Sequence, residues 1–401
     1  MYKLAIFTMG TRGDVQPYIY LARALNRAGY ETMIGTHPCW RNLIEESGVP
    51  FAAIGPDIDI EKEAAAIRGK HSNPAVSMLK TMKFVFRMIQ GATDEIYEAC
   101  KGKDLIIVSH SQMGAIEALA LGIPTVNVTL QTEMIAEKLK EQTWKDKLIG
   151  NFIGAQMAKP YNKIRKVYGM GKVKSADEIM SRELDLIPIS KYVKERNVYW
   201  ESHHILTGYW YEDEQNYIPE KRLADFLANG SKPLILALGA MSFEDQEEKD
   251  KLDMFIDAFK ATGNRAVIQG FQKTLAKVEL PDTMISCGSV PHSWLFRQGY
   301  GVIHHCGFGT ASAALIYGIP SIPVPHVLDQ MGFAMQLSAL GVSTEPLPAK
   351  ELSRERIAAA IEEMQRTFPE KKANAEAIAQ QIQSEDGLNV AVELIAKVLA
   401  S

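Results

Sequence analysis

The sequence predicts an α/β protein built from two Rossmann-like, doubly wound parallel-sheet domains. Three observations predict it. Short apolar runs alternate with helical patterns along the whole chain, the alternation comes as two separate series, and 401 residues are too many for one ordinary core.

In the first series Leu4–Thr8 reads as a strand, and a helix near Tyr18–Ala28, opened by Pro17, follows it. Glu31–Thr36 is the next strand. Asp104–Ser109 precedes a helix at Met113–Leu121, and Thr125–Val128 comes after Gly122-Ile-Pro. The second series runs through Leu234–Leu238, Ala266–Gln269, Met284–Ser286, Gly301–His304 and Ser321–Val324. In such folds ligands sit at the carboxyl ends of the strands, so the turns after these runs are where chemistry is expected. The expected division is 1–210, 211–380 and a terminal piece, 381–401.

Composition narrows the classes. Hydrophobic residues make up 46% and charged residues 23%, an ordinary globular balance. A net charge of −4 gives no basic field of the kind nucleic-acid binders use. Cys39, Cys100, Cys287 and Cys306 are scattered without metal spacing, which reads as reduced thiols in a cytoplasmic protein. The N-terminus has neither a long apolar stretch nor a signal-peptide cleavage site, and no apolar run approaches the length of a membrane span.

Between the two series the pattern changes. From Glu137 to Lys174 ten Lys or Arg face three acids, a local excess of +7. Trp144, Leu148, Phe152, Ile153 and Met157 recur there at helical spacing. Earlier, Val76–Ile89 places Met78, Leu79, Met82, Val85, Phe86 and Ile89 on one helical face, with Lys80, Lys83 and Arg87 elsewhere on the turn. The plainer expectation is two surface helices covering a core. The sharper one is that they wall a pocket for an apolar molecule, with segment 137–174 as a peripheral contact to an anionic membrane.

The most informative stretch is Gly301-Val-Ile-His-His-Cys-Gly-Phe-Gly-Thr-Ala-Ser-Ala-Ala-Leu. A strand runs into a glycine turn and then a small-residue helix, which aims backbone N–H groups and a helix dipole at an anion. Thr310 and Ser312 add hydroxyls. No lysine follows the glycines, so this is not an ATPase-type phosphate loop, and the G-x-G-x-x-G spacing is incomplete. His304 or His305 could donate to a diphosphate oxygen, although a lone strand-end histidine is more often structural. Asp329 and Gln330 follow a later strand and suit a sugar, one accepting from hydroxyl pairs and the other both donating and accepting. Alone, such a pair commonly caps a helix.

Taken together, Val290-Pro-His-Ser-Trp-Leu-Phe, His304-His-Cys-Gly-Phe-Gly-Thr and Asp329-Gln330 resemble the donor box of family-1 UDP-glycosyltransferases. Gly10-Thr-Arg-Gly-Asp-Val-Gln-Pro resembles the opening signature of the sterol and antibiotic glucosyltransferase branch, and Thr207-Gly-Tyr-Trp and Glu385-Asp-Gly fit its landmarks. Residues 60–105 and 130–185 carry no motif. The resemblance implies a GT-B fold with a C-terminal helix, Leu388–Leu399, packing back on the first domain. It implies diphosphate contacts from His305 and the N–H groups of Gly307, Phe308, Gly309 and Thr310, with Gly13 and Ser242 also toward the donor. Sugar contacts fall to Asp329 and Gln330, and uracil contacts to the backbone around Val290. It implies inversion without a metal or other cofactor, positive dipoles and the histidine standing where Mg²⁺ would. Plant members carry a ribose glutamate where this chain has Ala313, and an aromatic where it has Ser289. Many members have Gly-Ser at Gly239-Ala240. These departures leave UDP and dTDP both open.

Displacement at an anomeric carbon needs the acceptor hydroxyl deprotonated as it attacks. Asp14, in the turn after the first strand, is the candidate base. Its plainer role is a helix cap. In plant relatives a histidine holds the matching position, oriented by an aspartate from a later strand end. Here that end reads Val108-Ser-His-Ser, so His110 is a second proton carrier or an acceptor contact, and Arg12 organises the loop. The leading expectation is transfer of a hexose from a UDP-sugar to a lipophilic hydroxyl acceptor. A dTDP-sugar antibiotic transferase or rhamnosyltransferase stands beside it, and an inactive nucleotide-sugar-binding partner protein is the reading from another class.

Overall fold

The computed structural model describes residues 1–60, 62–63, 74–130, 132, 135, 143–213, 217–238 and 245–401. Among these, the strands form two all-parallel sheets. The first holds β1 (Lys3–Phe7), β2 (Glu31–Thr36), β3 (Phe51–Ala53), β4 (Leu105–Ser109), β5 (Thr125–Val128), β6 (Asp185–Ile187) and β7 (His204–Leu206), in the order β3-β2-β1-β4-β5-β6-β7. The second holds β8 (Leu234–Ala237), β9 (Ala266–Gln269), β10 (Met284–Cys287), β11 (Gly301–His304) and β12 (Ser321–Pro323), in the order β10-β9-β8-β11-β12. Two doubly wound domains are therefore present, as expected. β3, β6 and β7, three residues each, are not among the expected strands.

Strand period explains why each sheet is buried on both faces. In β1, Leu4 and Ile6 enter a core beneath the helix Arg12–Arg27, while Ala5 and Phe7 enter another on the opposite face. The helix Arg12–Arg27 supplies Val15, Tyr18, Ile19, Ala22 and Leu25, all buried, at the i, i+3, i+4 spacing of a core-facing stripe. Its other neighbour is the last helix of the chain, Gly387–Ala400, whose Ala391 and Ile395 complete the same core. The C-terminal helix thus returns to the first domain. Before it, the helix Arg354–Gln383 sends Ile357, Ile361 and Met364 into the second domain's core.

Where the chain recrosses, the Thr207-Gly-Tyr-Trp and Glu385-Asp-Gly landmarks meet. A Cβ on Gly387 would stand 2.6 Å from the Gly208 carbonyl oxygen, and the Trp210 indole donates to the Thr207 hydroxyl at 3.1 Å. Only a residue without a side chain fits such a backbone approach.

Two expectations are corrected. The first helix starts at Arg12, not at Pro17, because Thr11 and Asp14 cap it five residues earlier. Pro17 lies inside it, and the residue four before, which faces its ring, is the side-chain-free Gly13. The apolar spacing from Trp144 onward does not cover a core. In the helix Trp144–Val167, Trp144, Leu148, Phe152 and Ile153 are 68%, 59%, 66% and 55% exposed, and Ala158, Tyr161 and Ile164 make the core contact instead. The helix Pro74–Gly91 spans the Met-rich stretch, with Met82, Val85 and Phe86 partly buried and Ile89 buried. No helix among the described residues is long and apolar enough to cross a membrane.

Candidate active site

Each sheet has one place where its strand order reverses: between β1 and β4 in the first, and between β8 and β11 in the second. Crevices open at such places because the following helices depart to opposite faces. The turns after β1, β4 and β11 carry Asp14, His110 and His305.

After β1 the chain turns through Gly10 at φ +138° and enters the helix at Arg12. Asp14 is the third residue of that helix. Its Oδ2 accepts from the Thr11 N–H at 2.8 Å and the Thr11 hydroxyl at 3.0 Å, and the Thr8 hydroxyl donates to its carbonyl at 2.8 Å. The capping role is thus real. It occupies only one carboxylate oxygen: among the described residues no hydrogen bond takes Oδ1.

After β4, which pairs with β1 at Phe7↔Val108, lies His110. Its Nδ1 is buried and has no hydrogen-bond partner among the described residues. Ser109 and Ser111 exchange a hydroxyl bond at 2.9 Å around it, and the Tyr161 hydroxyl donates to the Ser111 carbonyl at 3.4 Å. Gln112 next holds a left-handed φ of 56°. Cys306, in the corresponding turn of the second domain, does the same at 62°. Non-glycine residues held there store strain, which clusters at functional turns.

After β11 the paired histidines part. His304 is fully buried and its Nδ1 accepts from the Cys306 N–H at 3.1 Å, so it holds the turn. Burial holds its pKa down at about 3. His305 faces the other way: a Cβ on Gly307 would lie 3.1 Å from His305 Cδ2, so the imidazole rests over the mouth of the helix Phe308–Ile316. The Phe308 and Gly309 N–H groups open that helix and have no acceptor within it. The Thr310 N–H donates to the Gly307 carbonyl at 3.1 Å, and the Ser312 hydroxyl donates to the Gly309 carbonyl at 3.1 Å, so the helix takes up the Ser312 hydroxyl donor. The Phe308 ring packs on Tyr209 and Phe333, each at 6.1 Å.

The two halves touch at this mouth. A Cβ on Gly309 would stand 3.8 Å from Gly13 Cα, and Arg12 Nη1 donates to Ser289 Oγ at 2.8 Å. Neither contact was legible in the sequence, nor was the support behind Val290. The Gln269 amide donates to the Val290 carbonyl at 2.8 Å and accepts from His292 Nε2 at 3.1 Å. Burial, then the Arg12 charge and His305, lower His292 to about 3. Gln330 is buried and its Oε1 accepts from the His326 N–H at 2.8 Å, which leaves its amide N–H₂ for a ligand. Asp329 is the second residue of the same helix, Leu328–Ala339, and its side chain lies outside the described residues, as do Ser242 and Gly239-Ala240.

The neutral buried histidines make a prediction about acid. His37, fully buried at the end of β2, is held near 4, and His304 near 3. In the unfolded chain each takes up a proton near 6.5, so stability is present above that value and is lost as pH falls toward the folded pKa. Between about pH 7 and about pH 5 each should remove about 1–2 kcal/mol, read from urea midpoints, and His304→Gln should flatten the slope.

Residues 4–128 match the glycosyltransferase family 28 N-terminal domain, and residues 256–396 match the C-terminal domain of erythromycin biosynthesis protein CIII-like proteins. The chain is 25% identical to O-mycaminosyltylonolide 6-deoxyallosyltransferase of Streptomyces fradiae, across 98% of this chain and 96% of that protein. It is 29% identical to sterol 3-beta-glucosyltransferase of Pichia angusta, across 98% of this chain, and spans 33% of that protein's length. Its fold is similar to that of the calicheamicin glycosyltransferase CalG4, with a TM-score of 0.73 and 16% identity, covering 100% and 98% of the two chains.

Proposed function

We propose that this chain, whose residues 4–128 match a family 28 N-terminal domain and residues 256–396 an erythromycin CIII-like C-terminal domain on a GT-B-like fold, is a glycosyltransferase that moves a hexose, glucose foremost, from a UDP-sugar to a hydroxyl of a lipophilic acceptor. A sterol, polyketide, flavonoid or glycolipid precursor fits that description. The observation that carries this is the meeting of two strand-end turns. Asp14, with one carboxylate oxygen uncommitted, stands in the turn that meets a helix mouth capped by His305. The relatives named for a sterol and for O-mycaminosyltylonolide support a lipophilic acceptor.

In the proposed step the acceptor oxygen attacks the anomeric carbon from the face opposite the diphosphate. The bond from that carbon to the phosphate oxygen breaks, and its electron pair leaves with UDP. The hydroxyl proton goes to Asp14 Oδ1, and the configuration inverts. Negative charge growing on the diphosphate meets the N–H groups of Gly307, Phe308 and Gly309, the helix dipole and His305, so no metal is required of the mechanism. Asp329 and the Gln330 amide hold sugar hydroxyls, and the backbone around Val290 holds the base. His110 serves as an acceptor contact. Free thiols at all four cysteines suit a cytoplasmic setting, with peripheral contact to a membrane.

A second donor, a dTDP-deoxyhexose, is favoured by Ser289 and Ala313 standing where plant relatives have an aromatic and a glutamate. The 6-deoxyallosyltransferase relative points the same way. The test offers UDP-glucose and a dTDP-sugar with a panel of lipophilic alcohols and follows release of nucleoside diphosphate. Turnover with UDP-glucose is expected. Turnover with dTDP-sugar alone moves the donor, and failure of either nucleotide to bind removes the donor-box assignment.

A further inference from the structure

The helix Trp144–Val167 is divided in two. Its second half is anchored: Tyr161 packs edge-on against Phe86 at 4.9 Å and bonds the Ser111 carbonyl beside His110. Its first half stands away from the body. Trp144, Leu148 and Phe152 recur once per turn with Ile149 and Ile153 beside them, and each is more than half exposed. Contiguous apolar surface of this kind is rare on a protein that meets only water. The helix carries six basic residues against one acidic, and Lys145, Lys159, Lys163 and Lys166 share its exposed surface.

We propose that this helix docks on an anionic lipid surface, the aromatic and aliphatic side chains of its projecting half entering the headgroup boundary and the lysines along its exposed length pairing with lipid phosphates. Charge decides the occupant. A second copy of the same face would bring two lysine clusters together, whereas an anionic membrane complements them. The docked helix leads inward to the Ser109–Gln112 turn, so a lipophilic acceptor leaving the bilayer arrives beside His110. This last link rests on the proposed acceptor class.

The docking itself is tested without donor or acceptor, so its outcome is independent of glycosyl transfer. The full chain is co-sedimented with vesicles of phosphatidylcholine alone and of equimolar phosphatidylcholine and phosphatidylglycerol. Binding to the anionic vesicles is expected, weakened about tenfold by raised salt, by Lys159→Glu with Lys163→Glu, and by Leu148→Ser with Phe152→Ser. Thermal melts of the serine variant should match the parent, since the replaced side chains lie mostly in water. Absence of sedimentation with either vesicle overturns the proposal. So does equal binding by the variants, or a dimer in sedimentation velocity that the serine variant dissociates.

Discussion

Replacing Asp14 with asparagine is expected to lower kcat on the order of 10³-fold while nucleotide binding survives. Asparagine keeps a side-chain oxygen where Asp14 Oδ2 now accepts from Thr11, so the helix start persists. What it cannot do is take a proton. Asp14→Ala removes both functions and should also cost about 1 kcal/mol of stability, which separates the cap from the base. Steady-state kinetics with the best acceptor, beside a UDP titration, read the result. An asparagine variant within about tenfold of the parent would move the base elsewhere, with His110 next in line.

The second large effect belongs to a residue with no side chain. Gly10→Ala should bring kcat down to nearly the level of the asparagine variant and remove about 1–3 kcal/mol of stability as well. A Cβ at Gly10 would lie 2.7 Å from Asp14 Cγ and 2.9 Å from Asp14 Cβ, and the backbone there holds φ +138°, which an alanine resists. The Gly10 carbonyl is also fixed, accepting from the Trp40 indole at 3.1 Å. Alanine must therefore displace the carboxylate or the start of the helix. Donor KM should rise less than kcat falls, because the group most directly displaced is the Asp14 carboxylate while the second-domain donor box is untouched. Activity within about threefold of the parent would mean that the placement of Asp14 is not critical.

Much of this was legible. Runs such as Leu4-Ala-Ile-Phe and Gly301-Val-Ile-His are strands because unbroken apolar segments suit a sheet buried on both faces, and the glycine turns announced where each sheet would open. β6 and β7 escaped because Asp185 and His204 begin them, and three residues give a period-2 pattern nothing to repeat. Those two polar residues pair at 2.7 Å, a contact only the fold creates. At the site, residue types were legible and their commitments were not. Ser312 spends its hydroxyl and Thr310 its N–H within their own helix and its cap, and Gln330 spends an acceptor on the His326 N–H just before its helix, a matter of local geometry. Arg12 and Ser289 lie 277 positions apart in the chain, and no spacing rule joins them. The exposed face at Trp144 had the periodicity of a core helix, since periodicity reports sidedness and not which side meets water.

The place where Gly208 and Gly387 press together acquires a mechanical meaning once both sides of the cleft are in view. The chain passes between its halves twice, and the two passages touch backbone to backbone at that spot. Beyond it, Ala391 and Ile395 are sunk in the first domain. Two tethers that cross at one point act as a fulcrum: the halves can swing but cannot slide apart. Such a swing would part the Gly13–Gly309 approach and the Arg12–Ser289 hydrogen bond first, because they lie on the side of the molecule where the two strand-end turns meet.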